Sequence, residues 1–296
     1  MKPHKLVLLG HYPPSVVLEE NALVLDALLS LDERGARYGA VTDFDGKLIG
    51  MISITEVLSA IRAGSERGSV FSHLSNKKVK EIMNNDPIAF IVGEFGVEEV
   101  IEEMVRRRVG AAFVTDNQGY LLGIISTRHI ISLLALTPMH IAAHEVMERV
   151  PAVMEDSSIS DVIDKMIETR HFYLPVGDQE GRLVGVVTAR DIIDFIGRRD
   201  VMKRLKEGRD KEVLATPVAK VMAGSPIFSK LDAPLDDVLR SMRKRGISAM
   251  PIVDEEYKIR GMVTEVSVVF NLPRLTGVEV FYDYSRLKLF VARMSS

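Results

Sequence analysis

The 296-residue chain contains no cysteine and no tryptophan, and aromatic residues make up only 6% of it. Without cysteine there are no disulfides, no thiolate metal sites and no thiol nucleophile, a composition expected of a reducing cytoplasm. Neither sign of charge dominates. The 38 Lys and Arg stand against 41 Asp and Glu, so no general basic field exists to hold nucleic acid. Long apolar runs are missing too. The stretch 130–136 is interrupted by Ser132 and falls far short of the roughly 20 residues a membrane helix needs, so no membrane span is expected. The apolar run at 6–9 is too short for the core of a secretory signal.

What the sequence does contain is repetition. Four anchors recur: Gly50-Met-Ile-Ser53, Gly123-Ile-Ile-Ser126, Gly185-Val-Val-Thr188 and Gly261-Met-Val-Thr264. In each an apolar strand ends in Ser or Thr and a helix follows. The glycines are spaced by 73, 62 and 76 residues. A unit of about 60 residues is one supersecondary motif, too small to bury a core well alone, and must pair with a neighbour.

Repeat three shows the pattern most fully. A short helix is expected at 143–147, an extended segment at 150–154, and a helix over 157–169 with Ile159, Val162, Ile163, Met166 and Ile167 on one face. Strands at 173–176 and 183–187 and a closing helix at 189–196 complete it. Repeat two follows with a lead at 79–83, helix 97–107 and strands 111–115 and 121–126; repeat four with a lead at 218–222, helix 235–244 and strands near 250–253 and 259–263. Repeat one lacks the Met-bearing lead but keeps a helix at 22–34 and strands at 40–42 and 48–53. The repeats then span about 5–62, 79–136, 143–197 and 218–272. Charged stretches separate repeats one and two (62–78) and three and four (197–216), the latter expected to hold a solvated helix over 198–213. The short join at 136–139 divides the chain into two sequential halves, 1–136 and 137–272. The tail, 273–296, departs from the repeat and reads as a hairpin of 278–282 and 287–291, with edge-covering as its simplest role.

These residues resemble the CBS-domain family. Its repeat carries a Met-bearing helix, a Pro in the first strand, an apolar-Pro-apolar second strand, Gly-x-x-Thr-x-x-Asp and a closing helix. Repeat three matches each element with Met147, Pro151, Leu174-Pro175-Val176, Gly185, Thr188 and Asp191; repeat four has Ser267 in place of the Asp. The resemblance implies an α/β (α+β) fold of four tandem CBS repeats, each strand-helix-strand-strand-helix. It also implies pseudo-two-fold pairs of one with two and three with four, and a cleft that binds an adenosine nucleotide. The layout is similar to the γ subunit of AMP-activated protein kinase and to archaeal nucleotide-binding CBS proteins.

At the junction Thr188-Ala-Arg-Asp191, free N–H groups at the helix start suit an anion, Asp191 suits a ribose diol, Thr188 suits ribose or phosphate, and Arg190 suits phosphate. Ser/Thr-x-x-Asp/Glu at a helix start is equally a capping box that needs no ligand. The weaker junctions are Ser53 with Glu56, Ser126 with Arg128 and His129, and Thr264 with Ser267. Neither His129 nor Ser267 accepts a diol as a carboxylate does. In the resembling family, basic residues before the middle strands reach phosphates, here Arg170 and His171 and, in repeat two, Arg108 within Arg106–Arg108. A solvated helix end, where cations complement the dipole, is the alternative. Ala152, Val153, Tyr173 and Leu174 are the expected apolar walls, or else core. His140 and His144 stand at i, i+4 without a third ligand, and no metal is expected. No phosphate loop, nucleophile elbow or catalytic carboxylate frame is present. The expectation is a cytoplasmic regulatory sensor, not an enzyme. It would bind AMP, or ADP, ATP or S-adenosylmethionine in its place, and would act on a partner protein, as a homodimer by stacking of the modules. The alternative is a docking scaffold with vestigial clefts.

Overall fold

The computed structural model describes residues 9–135 and 140–274. Repeat one builds β1 (Val17–Glu19), α1 (Val24–Glu33), β2 (Tyr38–Thr42), β3 (Leu48–Ser53) and α2 (Ile54–Glu66). Repeat two builds β4 (Ala89–Ile91), α4 (Val97–Arg107), β5 (Ala111–Thr115), β6 (Leu121–Ser126) and α5 (Thr127–Leu134), after a linker helix α3 (Val70–Asn76). Repeat three builds α6 (Ala143–Val146), β7 (Val153–Met154), α7 (Ile159–Thr169), β8 (Tyr173–Gly177), β9 (Leu183–Thr188) and α8 (Ala189–Gly197). Linker helices α9 (Arg199–Lys206) and α10 (Asp210–Leu214) lead to β10 (Ala223–Gly224), β11 (Ser229–Lys230), α11 (Leu235–Arg245), β12 (Ala249–Val253), β13 (Ile259–Thr264) and α12 (Glu265–Asn271). The order strand, helix, strand, strand, helix thus holds in every repeat.

The same sheet is built four times. The first strand runs parallel to the second, which the intervening helix makes possible, and the second pairs antiparallel with the third. The hairpin turn joining those two is held by one residue type. Asp43, Asp116, Asp178 and Asp254 each accept backbone N–H groups two and four residues on, at 2.8–3.0 Å. A side-chain acceptor of this kind replaces a backbone turn bond.

Each third strand also receives the lead segment of another repeat. Met51 of β3 bridges Asn84, Ile124 of β6 bridges His11, β10 pairs with β9, and Met262 of β13 bridges Glu148. Leads are therefore exchanged between one and two, and between three and four. The exchange explains the anchor glycines. A Cβ on Gly50 would lie 2.6 Å from Met83 Sδ, and one on Gly261 would lie 2.5 Å from the Glu148 carbonyl. At Gly185 it would meet Met222 Sδ, and at Gly123 the Tyr12 ring. Tyr12 thus fills in repeat one the place that methionine fills elsewhere.

Compactness follows alternate repeats rather than the sequential halves 1–136 and 137–272. Among the described residues, one unit joins repeats two and four (9–13, 88–135, 140–149 and 227–274) and the other joins repeats one and three (14–87 and 150–226). In the second unit α2 packs on α7 and α8, and α1 on α8. Its core includes Leu28, Leu58 and Ile61 with Ile192 and Ile196, all fully buried. In the first, α5 packs on α11 and α12 around Ile130, Leu134, Leu239 and Val268. Each such side chain stabilises by about 1.5–3 kcal/mol relative to exposure.

One expectation about a linker is corrected. The stretch 198–213 is not one solvated helix: Gly208, at φ +77°, breaks it into α9 and α10, whose Val201, Leu205 and Val213 are buried. The leads at 79–83 and 218–222 are single 3-10 turns. The expected tail hairpin (278–282, 287–291) and the join at 136–139 lie outside the described residues.

Candidate functional site

In repeat three, register brings two stretches together. Tyr173 at the start of β8 is the partner of Thr188 at the end of β9, and the Ala189 N–H donates to the Phe172 carbonyl at 2.9 Å. Residues 170–173 therefore lie beside 188–191. Thr188 caps α8. Its Oγ1 accepts the Asp191 N–H at 3.2 Å, and Asp191 Oδ2 accepts the Thr188 N–H at 2.7 Å. Both side chains are half-buried. Burial raises the Asp191 carboxyl above its ordinary range, opposed by its bonds to Thr188 and by the Arg190 charge.

At the other three junctions the side chain three residues on likewise accepts the N–H of the Ser or Thr. Glu56 Oε2 accepts from Ser53 N–H at 2.7 Å and Oγ at 2.5 Å, and burial raises its carboxyl. His129 Nδ1 accepts the Ser126 N–H at 3.0 Å. Burial first, then the His11 and Arg128 charges, lowers that imidazole to about 4, so it is neutral and acts as acceptor. Ser267 Oγ accepts the Thr264 N–H at 2.9 Å and is wholly buried, with Thr264 only 5% exposed. All four junctions thus share this backward bond to the first residue's N–H. Those of repeats one and three end in carboxylates; those of two and four do not.

Arg170 ends α7 in the left-handed region, φ 57°, and is exposed; Arg108 does the same after α4 at φ 54°. Repeats one and four place Gly35 and Gly246 there, at φ 59° and 65°. His171 is half-buried, and its Nδ1 has no hydrogen-bond partner. Arg37, absent from the sequence-derived set, lies over the rings of Tyr38 and Tyr173, 5.4 and 5.1 Å from their centroids. The in-register tyrosines opening β2 and β8 were a readable hint of it.

Other candidates fall elsewhere. Arg190 is engaged: Nη1 donates to the Gly35 carbonyl at 2.8 Å and Nε lies 3.8 Å from Asp194 Oδ1. Leu174 is fully buried and Val153 is 6% exposed, both in the core of that unit. Val153 pairs with Val176, three positions along β8 from Tyr173, or about 10 Å away. Ala152 is exposed beside it. In repeat two, Arg128 reaches Ser248 Oγ at 3.1 Å and buried Glu265 at 3.5 Å. His140 precedes α6, which starts at Ala143, so His140 and His144 share no helical face. His144 Nδ1 lies 3.1 Å from the Leu231 carbonyl. Among the described residues no three His, Cys, Asp or Glu could hold a metal, and no helix is long and apolar enough to cross a membrane.

The CBS domain family matches the chain over residues 10–63, 79–136, 143–198 and 218–274. An uncharacterised 33.4 kDa protein in the ribosomal RNA operon of Thermofilum pendens is 32% identical over 295 residues, 97% of each chain. Protein MJ1225 of Methanocaldococcus jannaschii is 24% identical over 86% of this chain and 94% of its own. Its crystal structure, described as that of a proposed archaeal homologue of g-AMPK, superposes with a TM-score of 0.81 over 90% of this chain and 99% of that one. A Pyrococcus horikoshii structure, 19% identical, reaches 0.59 over 89% and 97%. The four sheets, the exchanged leads and the four junctions are thus those of a chain that belongs to the CBS-domain family, with four CBS domains in tandem.

Proposed function

We propose that this protein is a cytoplasmic regulatory sensor that binds an adenosine nucleotide, AMP first, at the repeat-three junction, and that a partner protein reads the occupied state. The observation that carries this reading is the half-buried Asp191 carboxylate, held by its own cap at a junction whose partner strand opens with Tyr173, directly after Arg170 and His171 in the chain. A ribose diol offers that carboxylate two donors in place of one backbone N–H, and the Thr188 hydroxyl turns from cap to ligand. A phosphate monoester then falls to the cation at 170, with the Arg37 guanidinium stacked nearby on Tyr173. Glu56 with Ser53 makes repeat one the second candidate. Nothing here positions a base or nucleophile against a bound nucleotide, so binding rather than turnover is the proposed role. ADP, ATP and S-adenosylmethionine present the same adenosyl group. The neutral junctions at His129 and Ser267 favour a second, docking-only role for the unit of repeats two and four.

Purified protein is expected to melt at higher temperature with AMP, by the equivalent of ~2.7 kcal/mol at one hundred times Kd. Asp191→Ala should weaken binding far more than Asp194→Ala, one turn further along α8. No shift with any adenosyl compound at millimolar concentration removes the sensor reading and leaves the scaffold.

A further inference from the structure

The first two turns of α8 carry Asp191, capped by Thr188 at the junction, and beside it Arg190 and Asp194, which meet α1 of repeat one. There Arg190 donates to the Gly35 carbonyl, and Asp194 stands against Asp32. Asp32 Oδ2 lies 2.9 Å from where a side chain on Gly197 would begin, so glycine at 197 leaves it room against α8. Asp194 Oδ1 is buried and lacks a hydrogen-bond partner. Two carboxylates offer each other only acceptors; one proton between them supplies the missing donor.

We infer that ligand binding at the Thr188–Asp191 junction is coupled through α8 to protonation of the Asp32–Asp194 pair, so that occupancy of repeat three reaches repeat one as the uptake of a proton. This rests on the nucleotide reading above. The charged groups facing Asp194 are Asp32 from α1 and Arg190 and Asp191 from its own helix. The other helices packed on α8 commit their charges elsewhere: Arg62 of α2 pairs with Asp164 of α7, and Arg204 with Asp200 within α9. Burial, then Asp32, raises the Asp194 carboxyl to about 7, and Arg190 opposes the rise.

The sign follows from charge. The nucleotide brings the negative charge of its phosphate to the repeat-three junction, and donors from a ribose diol keep Asp191, whose charge already raises Asp194, ionised. Both effects favour the protonated pair, so the protein takes up protons on binding near neutral pH, and affinity falls as pH rises through about 7.

Calorimetric titration of AMP into the parent protein and into Asp194→Asn, at neutral pH in two buffers of different ionisation enthalpy, tests this. A phosphate monoester itself titrates near pH 6, so the difference between the two proteins is the quantity read. The parent is expected to take up a larger fraction of a proton per AMP than Asp194→Asn, and to lose several-fold more affinity between about pH 6 and pH 8. Asp32→Asn should behave like Asp194→Asn and serves if the latter does not fold. AMP heats with equal proton uptake in all proteins overturn the coupling and leave the nucleotide site standing. No heat in the parent overturns the nucleotide reading itself, and the coupling with it.

Discussion

Arg170 occupies a backbone conformation that two sister repeats give to glycine. A left-handed residue with a Cβ costs about 1–2 kcal/mol, and nothing in the packing of this exposed side chain offsets it. Strain retained at one repeat where glycine serves in another points to selection for the side chain. Arg170→Gly is therefore expected to stabilise the ligand-free protein by roughly 0.5–1 kcal/mol, the relief less the added entropy of unfolded glycine. It should also weaken AMP by about tenfold through loss of one charge-assisted contact. Melting without ligand and titration with it check both; a stabilised variant that binds as tightly as the parent takes Arg170 out of the site. Residue types were readable here, and roles were not. Thr188 and Asp191 were legible as cap or ligand, and the fold shows the cap because its N–H partners are three residues away. The partner of Arg190, the Gly35 carbonyl, lies 155 residues distant, and no local pattern announces it.

At the scale of elements, the anchor glycines are set by what lies on them. None of the four has a positive φ, so close approach rather than backbone freedom requires them. The obstacle differs from repeat to repeat. At Gly261 it is a backbone carbonyl, itself fixed by bonds exchanged with Met262. At Gly50 the nearest atom is the thioether of Met83, an adaptable side chain. Overpacking of this kind costs about 1–3 kcal/mol. Gly261→Ala should fall at the upper end of that range and Gly50→Ala at the lower, compared by urea denaturation. The reverse order would mean that the thioether is the stiffer neighbour. Helix positions were predictable from apolar spacing: α4 spans 97–107 as expected, and α7 starts two residues later, behind its Ser158 cap. The first strands were placed less well. β7 covers only Val153–Met154 of the expected 150–154, because a two-residue edge strand has no periodicity to read.

At the scale of the whole molecule, repeats one and three share a core and also hold both long linkers. Asp210, only 6% exposed, begins α10 and accepts the Val70 N–H at the start of α3, at 2.6 Å. This one carboxylate joins segments 140 residues apart and serves two helix starts. Asp210→Ala leaves a buried N–H without its acceptor and is expected to cost about 1–3 kcal/mol. Amide exchange should then quicken together across 14–87 and 150–226, the segments that form this unit. Faster exchange confined to α3 and α10 would show that the linkers open without the core.

The sequence alone determined the four repeats and their strand and helix order. Those features follow from contacts within a few residues: apolar periods of two and 3.6, caps and turn formers. Only the tertiary structure decided that repeat one shares its core with three and two with four, that Tyr12 stands in for a missing methionine, and that Arg190 and Asp194 belong to a contact with repeat one. Each depends on which distant surfaces fit, and no local pattern carries that complementarity.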